Sequence, residues 1–179
     1  MKLHYIIILF FLTQWANAQT DKNVSIFHRL LITNSEGELL VAKVENTNFW
    51  VTPGLYQNNE QTIRQGLDSI ATTYGLEIDN IKLKGSFVLK RDLNGEISSS
   101  LRNVYTANLT GGEQNKPKGI EEIRWLSMKQ ALELITFPHI NIMIEQIMNK
   151  PNQIWGGTLM QFKEDDIWKV KVLEDFYTL

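Results

Sequence analysis

The residues whose types and spacing bear most directly on chemistry lie between Gly54 and Leu76. Ser69, Thr72 and Thr73 are offset by zero, three and four residues, so on a helix they share one face. A divalent cation that assists phosphate chemistry requires anionic oxygen ligands, because it must neutralise developing charge and position the attacking water. Hydroxyl groups are neutral and bind such cations much more weakly. The face therefore has the spacing of a cation site without the charge that a cation needs.

The same segment resembles the Nudix box, which begins with Gly, five residues, Glu and seven residues. The box then reads Arg-Glu, an apolar residue, any residue, Glu-Glu, any residue, Gly and an apolar residue. Five positions match without a gap, namely Gly54, Glu60, Ile70, Gly75 and Leu76. The positions of the box arginine and its three glutamates hold Asp68, Ser69, Thr72 and Thr73.

The resemblance implies a scaffold for cleaving a diphosphate linked to another moiety, in which the box glutamates hold magnesium or manganese. Since those glutamates are missing, we expect no intact catalytic set and no metal cofactor. Glu60 is the one weak candidate for a metal ligand. Asp68 is one residue before the first missing glutamate, a step that rotates it by about 100° around the helix. Arg64 is spaced to pair with Glu60 and Asp68, and it substitutes for the box arginine in this interpretation.

Two further segments support the resemblance. Phe49–Gly54 is similar to the family's Trp, two residues, Pro-Gly-Gly approach to the box, although only one glycine is present. Ile120–Ser127, followed by Lys129–Glu133, is similar to the family's strand and helix after the box. The match runs from about Ser25 to Lys150. It implies an α/β (α+β) architecture, the Nudix fold, with a mixed β-sheet sandwiched between helices.

The resemblance also nominates ligand-binding residues. Arg29, Arg91 and Arg102 fall in or at the ends of strands that line the pocket in the family. An arginine can grip phosphate through two hydrogen bonds, and Trp50 could stack on a base or a sugar. The alternative is that Arg91 and Arg102 are ordinary exposed charges on a hairpin.

Local patterns place the elements that must position these residues. Strands are predicted at Ser25–Thr33, Leu39–Val44, Ile81–Lys90 and Leu101–Leu109, and Asn94-Gly95 predicts a tight hairpin turn. The box helix has a predicted buried stripe of apolar residues and ends at Gly75, a C-cap residue. Two more helices are predicted at about Ser127–Ile135 and Ile140–Asn149. The buried stripe of the box helix comprises Ile63, Leu67, Ile70, Ala71 and Tyr74.

The two ends of the chain carry separate signals. Residues 1–18 combine Lys2, an apolar run and Ala16-Asn17-Ala18, which predicts a cleaved signal peptide and an exported protein, periplasmic or secreted. The apolar run is too short for a stable membrane anchor. Residues 25–150 form the predicted Nudix-like domain, and residues 151–179 form an added C-terminal β-hairpin. The hairpin packs on its own domain or forms a homodimer through its aromatic residues, which are Trp155, Trp168, Phe176 and Tyr177.

Composition excludes several classes of function. Without Lys2 the chain has 17 basic and 20 acidic residues, a net charge of about −3, which argues against a nucleic-acid surface. The sequence contains no cysteine, so the fold must depend on its core without disulfides. His28 and His139 lack zinc-type spacing, and both are interpreted as ordinary structural residues.

Two hypotheses from different classes follow. The first is an exported, non-catalytic Nudix-fold module, a pseudoenzyme that binds a small phosphate-containing ligand or a protein partner. The second is an active hydrolase of a diphosphate-linked compound that uses Mg or Mn held by carboxylates such as Glu60, Asp68, Glu121 or Glu122. The neutral helix face, the shortened glycine loop and the export signal favour the first.

Overall fold

The computed structural model describes residues 24–179, and the predicted signal peptide at residues 1–18 lies outside them. The described residues form nine strands and three helices. The helices are α1 (Ile63–Thr73), α2 (Met128–Leu134) and α3 (Pro138–Asn149). The first strands are β1 (Ser25–Thr33), β2 (Leu39–Val44), β3 (Trp50–Val51), β4 (Gly54–Tyr56) and β5 (Leu76–Leu93). The remaining strands are β6 (Glu96–Gly112), β7 (Ile120–Leu126), β8 (Trp155–Glu164) and β9 (Ile167–Thr178).

All nine strands belong to one mixed sheet. Its main path runs β3-β2-β1-β6-β5-β8-β9, while β4 pairs with β1 and β7 pairs with β2. The pairs β1·β6 and β5·β8 are parallel, and the other pairs are antiparallel. Helices cover both faces of this sheet, which confirms the predicted fold class.

Alternation along β1 divides the core into two parts. Leu31 faces the side covered by α2 and α3, where it packs with Ile140, Met143 and Phe87. Leu30, on the opposite face, packs on the α1 side with Leu67 and other residues of that helix. Since burial of each large apolar side chain contributes about 1.5–3 kcal/mol, these two layers supply most of the driving force for folding.

The box helix α1 begins and ends as its sequence predicts. Thr62 caps it in a reciprocal capping box with Gln65, and Gly75 follows it with a φ of 69°, which satisfies the left-handed C-terminal position. Four of the five stripe residues are buried, but Ile63 is exposed. The prediction for Ile63 was wrong because this residue is the first of α1 and lies at an end of the helix that the sheet does not cover.

The β5–β6 and β8–β9 hairpins are longer than their apolar patterns predict. The β5–β6 hairpin extends to Leu93 and Glu96 around Asn94-Gly95, and both turn residues have the positive φ of a two-residue turn. The C-terminal hairpin of β8 and β9 is present, and β8 continues the sheet by pairing with β5. Hydrogen bonding along the sheet extends the strands of these hairpins beyond the apolar segments by which a strand is predicted from sequence.

The C-terminal hairpin packs on the body of its own chain. Trp155 is buried in the core, Phe176 contacts Phe87 with ring centroids 5.7 Å apart, and Trp168 contacts Phe137 at 5.5 Å. Of the four aromatic residues named for a dimer, Tyr177 alone is exposed. Homodimer formation through this hairpin stays a prediction. No helix among residues 24–179 is long and apolar enough to span a membrane.

The position of β8 in the core can be tested by a matched pair of substitutions. Leu159 is fully buried between the sheet and α3, whereas Leu173 on β9 is exposed. We expect Leu159→Ala to lower the free energy of unfolding by about 2–5 kcal/mol, because it leaves a cavity. Leu173→Ala should change it by no more than about 0.5 kcal/mol. Urea denaturation measures both values, and equal losses would contradict this packing.

Candidate functional site

The hydroxyl face of α1 is bonded to the helix itself. Ser69 Oγ donates to the carbonyl oxygen of Gly66 at 2.9 Å, and Thr72 Oγ1 donates to that of Asp68 at 2.9 Å. Thr73 Oγ1 donates to the carbonyl oxygen of Ile70 at 3.1 Å. Each hydroxyl thus uses its proton on the backbone of the preceding turn, a common arrangement for Ser and Thr within helices. None of them offers an anionic oxygen to a cation.

The nearby carboxylates do not replace the missing ligands. Asp68 accepts from Nε of Arg64, 3.0 Å away, in an exposed ion pair one helical turn long. Glu60 lies in the turn before α1, where its backbone N–H donates to Asn58 Oδ1. Of the predicted ladder, only the pair between Arg64 and Asp68 forms among the ion pairs of residues 24–179.

The carboxylates after the box are also engaged. Glu121 accepts from Lys43 Nζ at 2.9 Å, and Glu122 accepts from Arg124 Nε at 2.6 Å. The hydrogen bond from Arg124 lowers the pKa of Glu122. Within the described part of the chain, no three His, Cys, Asp or Glu side chains converge to hold a metal ion. The hydroxyl and carboxylate oxygens described above therefore do not fit magnesium or manganese as a ligand set.

Positive charge is instead concentrated on the opposite face of the sheet, at Arg29 and Arg102. The parallel register of β1 and β6 sets Phe27 opposite Arg102, so that Arg102 lies beside Phe27 and Arg29 on the face covered by α3. Each arginine is only 5% exposed. Arg29 Nη1 donates to the carbonyl oxygen of Thr52 at 3.0 Å and to its Oγ1 at 2.7 Å.

Neutral groups surround both guanidinium groups. Arg102 Nε donates to Ser100 Oγ at 3.0 Å, and its Nη2 lies 3.4 Å from the Tyr56 hydroxyl. The Phe27 ring centroid is 4.7 Å from Arg102 Cζ and 5.2 Å from Arg29 Cζ. Aromatic faces attract such cations, by roughly 0.5–2 kcal/mol each. Neither arginine pairs with a carboxylate among the residues that the structure describes.

Burial destabilises the charged forms of Arg29 and Arg102. Burial, together with the neighbouring guanidinium of Arg102, lowers the pKa of Arg29 to about 9. Burial also lowers the pKa of Arg102. Both side chains remain cationic at neutral pH, so two largely buried positive charges lie side by side at the cleft without a carboxylate partner among residues 24–179. A bound anion would stabilise two such charges.

The start of α3 completes this positive region. His139, in the first turn of α3, is 4% exposed, and its Nδ1 has no hydrogen-bond partner among the described residues. Burial, followed by the charges of Arg29, Arg102 and Arg91, lowers the pKa of His139 well below its usual value. The imidazole is therefore neutral. The positive end of the α3 dipole also lies beside the arginines. The N-cap residue Phe137 has no side-chain acceptor to cap the first N–H groups of the helix.

The arginines line a cleft made of two adjacent cavities, and the one with the more deeply buried walls is termed the inner chamber. The inner chamber, about 150 Å³, is lined by Arg29, Arg102, Arg91, Tyr56 and by side chains of β1, β3 and the start of α3. The outer chamber, about 510 Å³, shares Tyr56, Arg91 and Arg102 with it. The other lining residues of the outer chamber are Val24, Ser25, Ile97, Ser98, Ser99 and Ser100.

The structure brings together three of the four residues nominated as ligand-binding. Arg29, Arg91 and Arg102 all line the inner chamber, and the exposed-hairpin alternative was wrong for Arg102 because it is buried. Trp50 is placed elsewhere: it is 8% exposed in the core, and the Arg124 guanidinium lies 4.7 Å above its ring. Sequence reasoning did not connect His139 with this cleft. The available signal was Pro138, which starts a helix and places His139 in its first turn.

Comparisons with known proteins identify the fold. No protein-family model and no curated sequence matches the chain. Among solved structures, a MutT protein from Bacillus halodurans matches 86% of this chain and 97% of its own length, with a TM-score of 0.65 and 16% identity. A MutT protein from Methanosarcina mazei Go1 matches 75% of this chain and all of its own length, with a TM-score of 0.58 and 17% identity. A NUDIX hydrolase from Nitrosomonas europaea matches 71% and 90%, with a TM-score of 0.58 and 12% identity. At these identities the likeness is one of fold.

The neutral state of His139 has a consequence for acid stability. Its folded-state pKa lies below the unfolded value near 6.5, so the unfolded chain binds a proton that the folded chain resists. The stability contributed by the neutral imidazole is present above about pH 6.5 and is lost as the pH falls toward the folded-state pKa.

We therefore expect the free energy of unfolding of the native chain to fall, relative to that of His139→Gln, between pH 7 and pH 5. Urea denaturation at several pH values in chloride buffer without phosphate measures this difference. All other titrating groups are common to the two proteins and cancel. A difference that stays constant over this range would contradict a depressed pKa at His139.

Proposed function

Because this chain has the Nudix fold, we propose that it keeps the scaffold as a non-catalytic module that binds a small phosphate-containing ligand without a metal ion. The signal predicted at residues 1–18 would place this module outside the cytoplasm, in the periplasm or secreted. The observation that carries the proposal is the burial of Arg29 and Arg102 without a carboxylate partner in the described chain.

The energetics of buried charge support this reading of the arginines. An unpaired buried charge costs several kcal/mol, and proteins usually offset that cost with an ion pair. Arg29 and Arg102 have Thr52, Ser100, Tyr56 and the Phe27 ring, none of which carries a full negative charge. A phosphate group would supply that charge and would also accept hydrogen bonds in the planar arrangement that guanidinium groups offer.

The side chains at the box positions of α1 support the proposal that the protein does not hydrolyse its ligand. Cleavage of a diphosphate needs a group that neutralises developing charge and positions a water molecule. The three box positions on α1 carry neutral hydroxyls already bonded to the helix backbone. The arginines can bind phosphate oxygens, but a guanidinium does not deprotonate water at neutral pH. Binding without turnover is the expected result.

Metal-independent binding can be tested by calorimetry in the presence of EDTA. The titrants are inorganic phosphate, glucose 6-phosphate and ADP-ribose, added to the mature protein. We expect at least one of them to bind, and we expect Arg102→Gln to weaken that binding by about 2 kcal/mol, roughly thirty-fold, because a charged hydrogen-bond donor is lost.

Arg64→Gln is the matched control, since it removes an exposed arginine from α1. It should leave the affinity unchanged. No binding by any of the three compounds, or an equal loss in both variants, would refute the proposal.

The proposal that binding is metal-free makes a separate prediction. Titration of Mn²⁺ into the native protein should give no binding at micromolar concentrations, because neutral hydroxyls are poor ligands for hard cations and no three ligating side chains converge in the described chain. Micromolar binding that disappears in Glu60→Ala or Asp68→Ala would instead support an active hydrolase with non-standard metal ligands.

A further inference from the structure

We propose that the cleft selects a terminal phosphate monoester carried by a hydroxylated, sugar-like skeleton, with the phosphate in the inner chamber and the skeleton in the outer one. This inference rests on the proposed function and specifies the ligand of the same cleft. It is carried by the free donors of the inner chamber, the sizes of the two chambers and the side chains that line the outer one.

The inner chamber offers several hydrogen-bond donors that have no acceptor in the described part of the chain. Both hydrogen bonds of the Arg29 guanidinium leave from Nη1, so its Nε and Nη2 have no acceptor among residues 24–179. Arg102 Nη1 is likewise without an acceptor in that range. His139 adds a buried imidazole whose Nδ1 has no partner in the described chain. The unpartnered guanidinium nitrogens of Arg29 and Arg102 suit the several oxygens of a phosphate.

The size of the inner chamber favours a terminal group. At about 150 Å³ it is smaller than the roughly 300–1,000 Å³ of pockets that hold whole small molecules. Its walls include Arg29, His139 and Ile140, each nine-tenths or more buried, so core residues form its floor. A phosphate with one substituent can enter while its substituent remains outside. A diphosphate with a bulky substituent on each side would have to fit at least one of them into this smaller space.

The outer chamber suits a polar, hydroxylated substituent. At about 510 Å³ it is large enough for one, and Ser98, which lies on the same face of β6 as Arg102, lines it with an exposed side chain. Tyr56 is the one aromatic residue among the lining side chains that the structure describes. No Asp or Glu lines either chamber in the described chain. Hydroxyl groups donate to and accept from the hydroxyls of a sugar, whereas a single ring does not enclose a nucleobase.

Calorimetry with EDTA can compare four probes, namely glucose 6-phosphate, glucose, inorganic phosphate and ADP-ribose, whose phosphates are both internal. We expect glucose 6-phosphate to bind about tenfold more tightly than ADP-ribose and more tightly than inorganic phosphate, and glucose not to bind. Equal or tighter binding of ADP-ribose would overturn the terminal-monoester inference while the proposed function stands. Absence of binding by every phosphate compound would instead refute the proposed function and this inference with it.

A substitution in the outer chamber tests where the skeleton lies. Ser98→Ala should weaken glucose 6-phosphate by about fivefold, because one neutral hydrogen bond is lost, and should leave inorganic phosphate unchanged. The matched control is Ser35→Ala, in the exposed turn between β1 and β2, which should affect neither. Unchanged binding of glucose 6-phosphate by Ser98→Ala, or an equal loss for both phosphates, would overturn the placement of the skeleton.

Discussion

Two guanidinium groups buried side by side, with no carboxylate partner among residues 24–179, are the constraint around which the cleft is built. Taking a charge out of water is costly, and placing a second like charge beside it adds repulsion. Thr52, Ser100, Tyr56 and the Phe27 ring reduce this cost without cancelling the charge. The remaining positive potential is a property of the folded chain before any ligand arrives. The two apolar layers of the core supply the stability that allows it.

The sheet holds these charges in place by its register. Arg29 and Arg102 lie on neighbouring parallel strands at the centre of the sheet, and Arg91 lies on the next strand. A shift of one residue in either pairing would turn an arginine to the opposite face, where α1 packs. Apolar neighbours on both faces oppose such a shift, because Leu30 and Leu31 would exchange environments. The position of the charges is therefore as rigid as the core itself.

Features that depend on neighbouring residues in sequence could be predicted from the sequence. The cap at Thr62, the turn at Asn94-Gly95 and the end of α1 at Gly75 are decided by local chemistry, and the three ordered segments indicated the fold. Features that depend on distant contacts could not. The burial of Arg102 requires β1, β6 and Tyr56 to meet, and the role of His139 requires the start of α3 to lie over that meeting point. Strand ends were missed because sheet hydrogen bonding extends past the apolar residues that mark a strand.

Two changes alter the charge of the scaffold. Hydroxyls replace carboxylates on α1, and arginines are buried on the other face of the sheet. Three glutamates would carry three negative charges and would need a cation before they could approach a phosphate; Ser69, Thr72 and Thr73 carry none. In the proposed binding mode, Arg29 and Arg102 balance the phosphate charge on the opposite face of the sheet. Hydrolysis of a diphosphate would also put new negative charge on the bridging oxygen and would need an activated water molecule, and a guanidinium that stays protonated at neutral pH activates none. The proposed ligand is therefore retained intact.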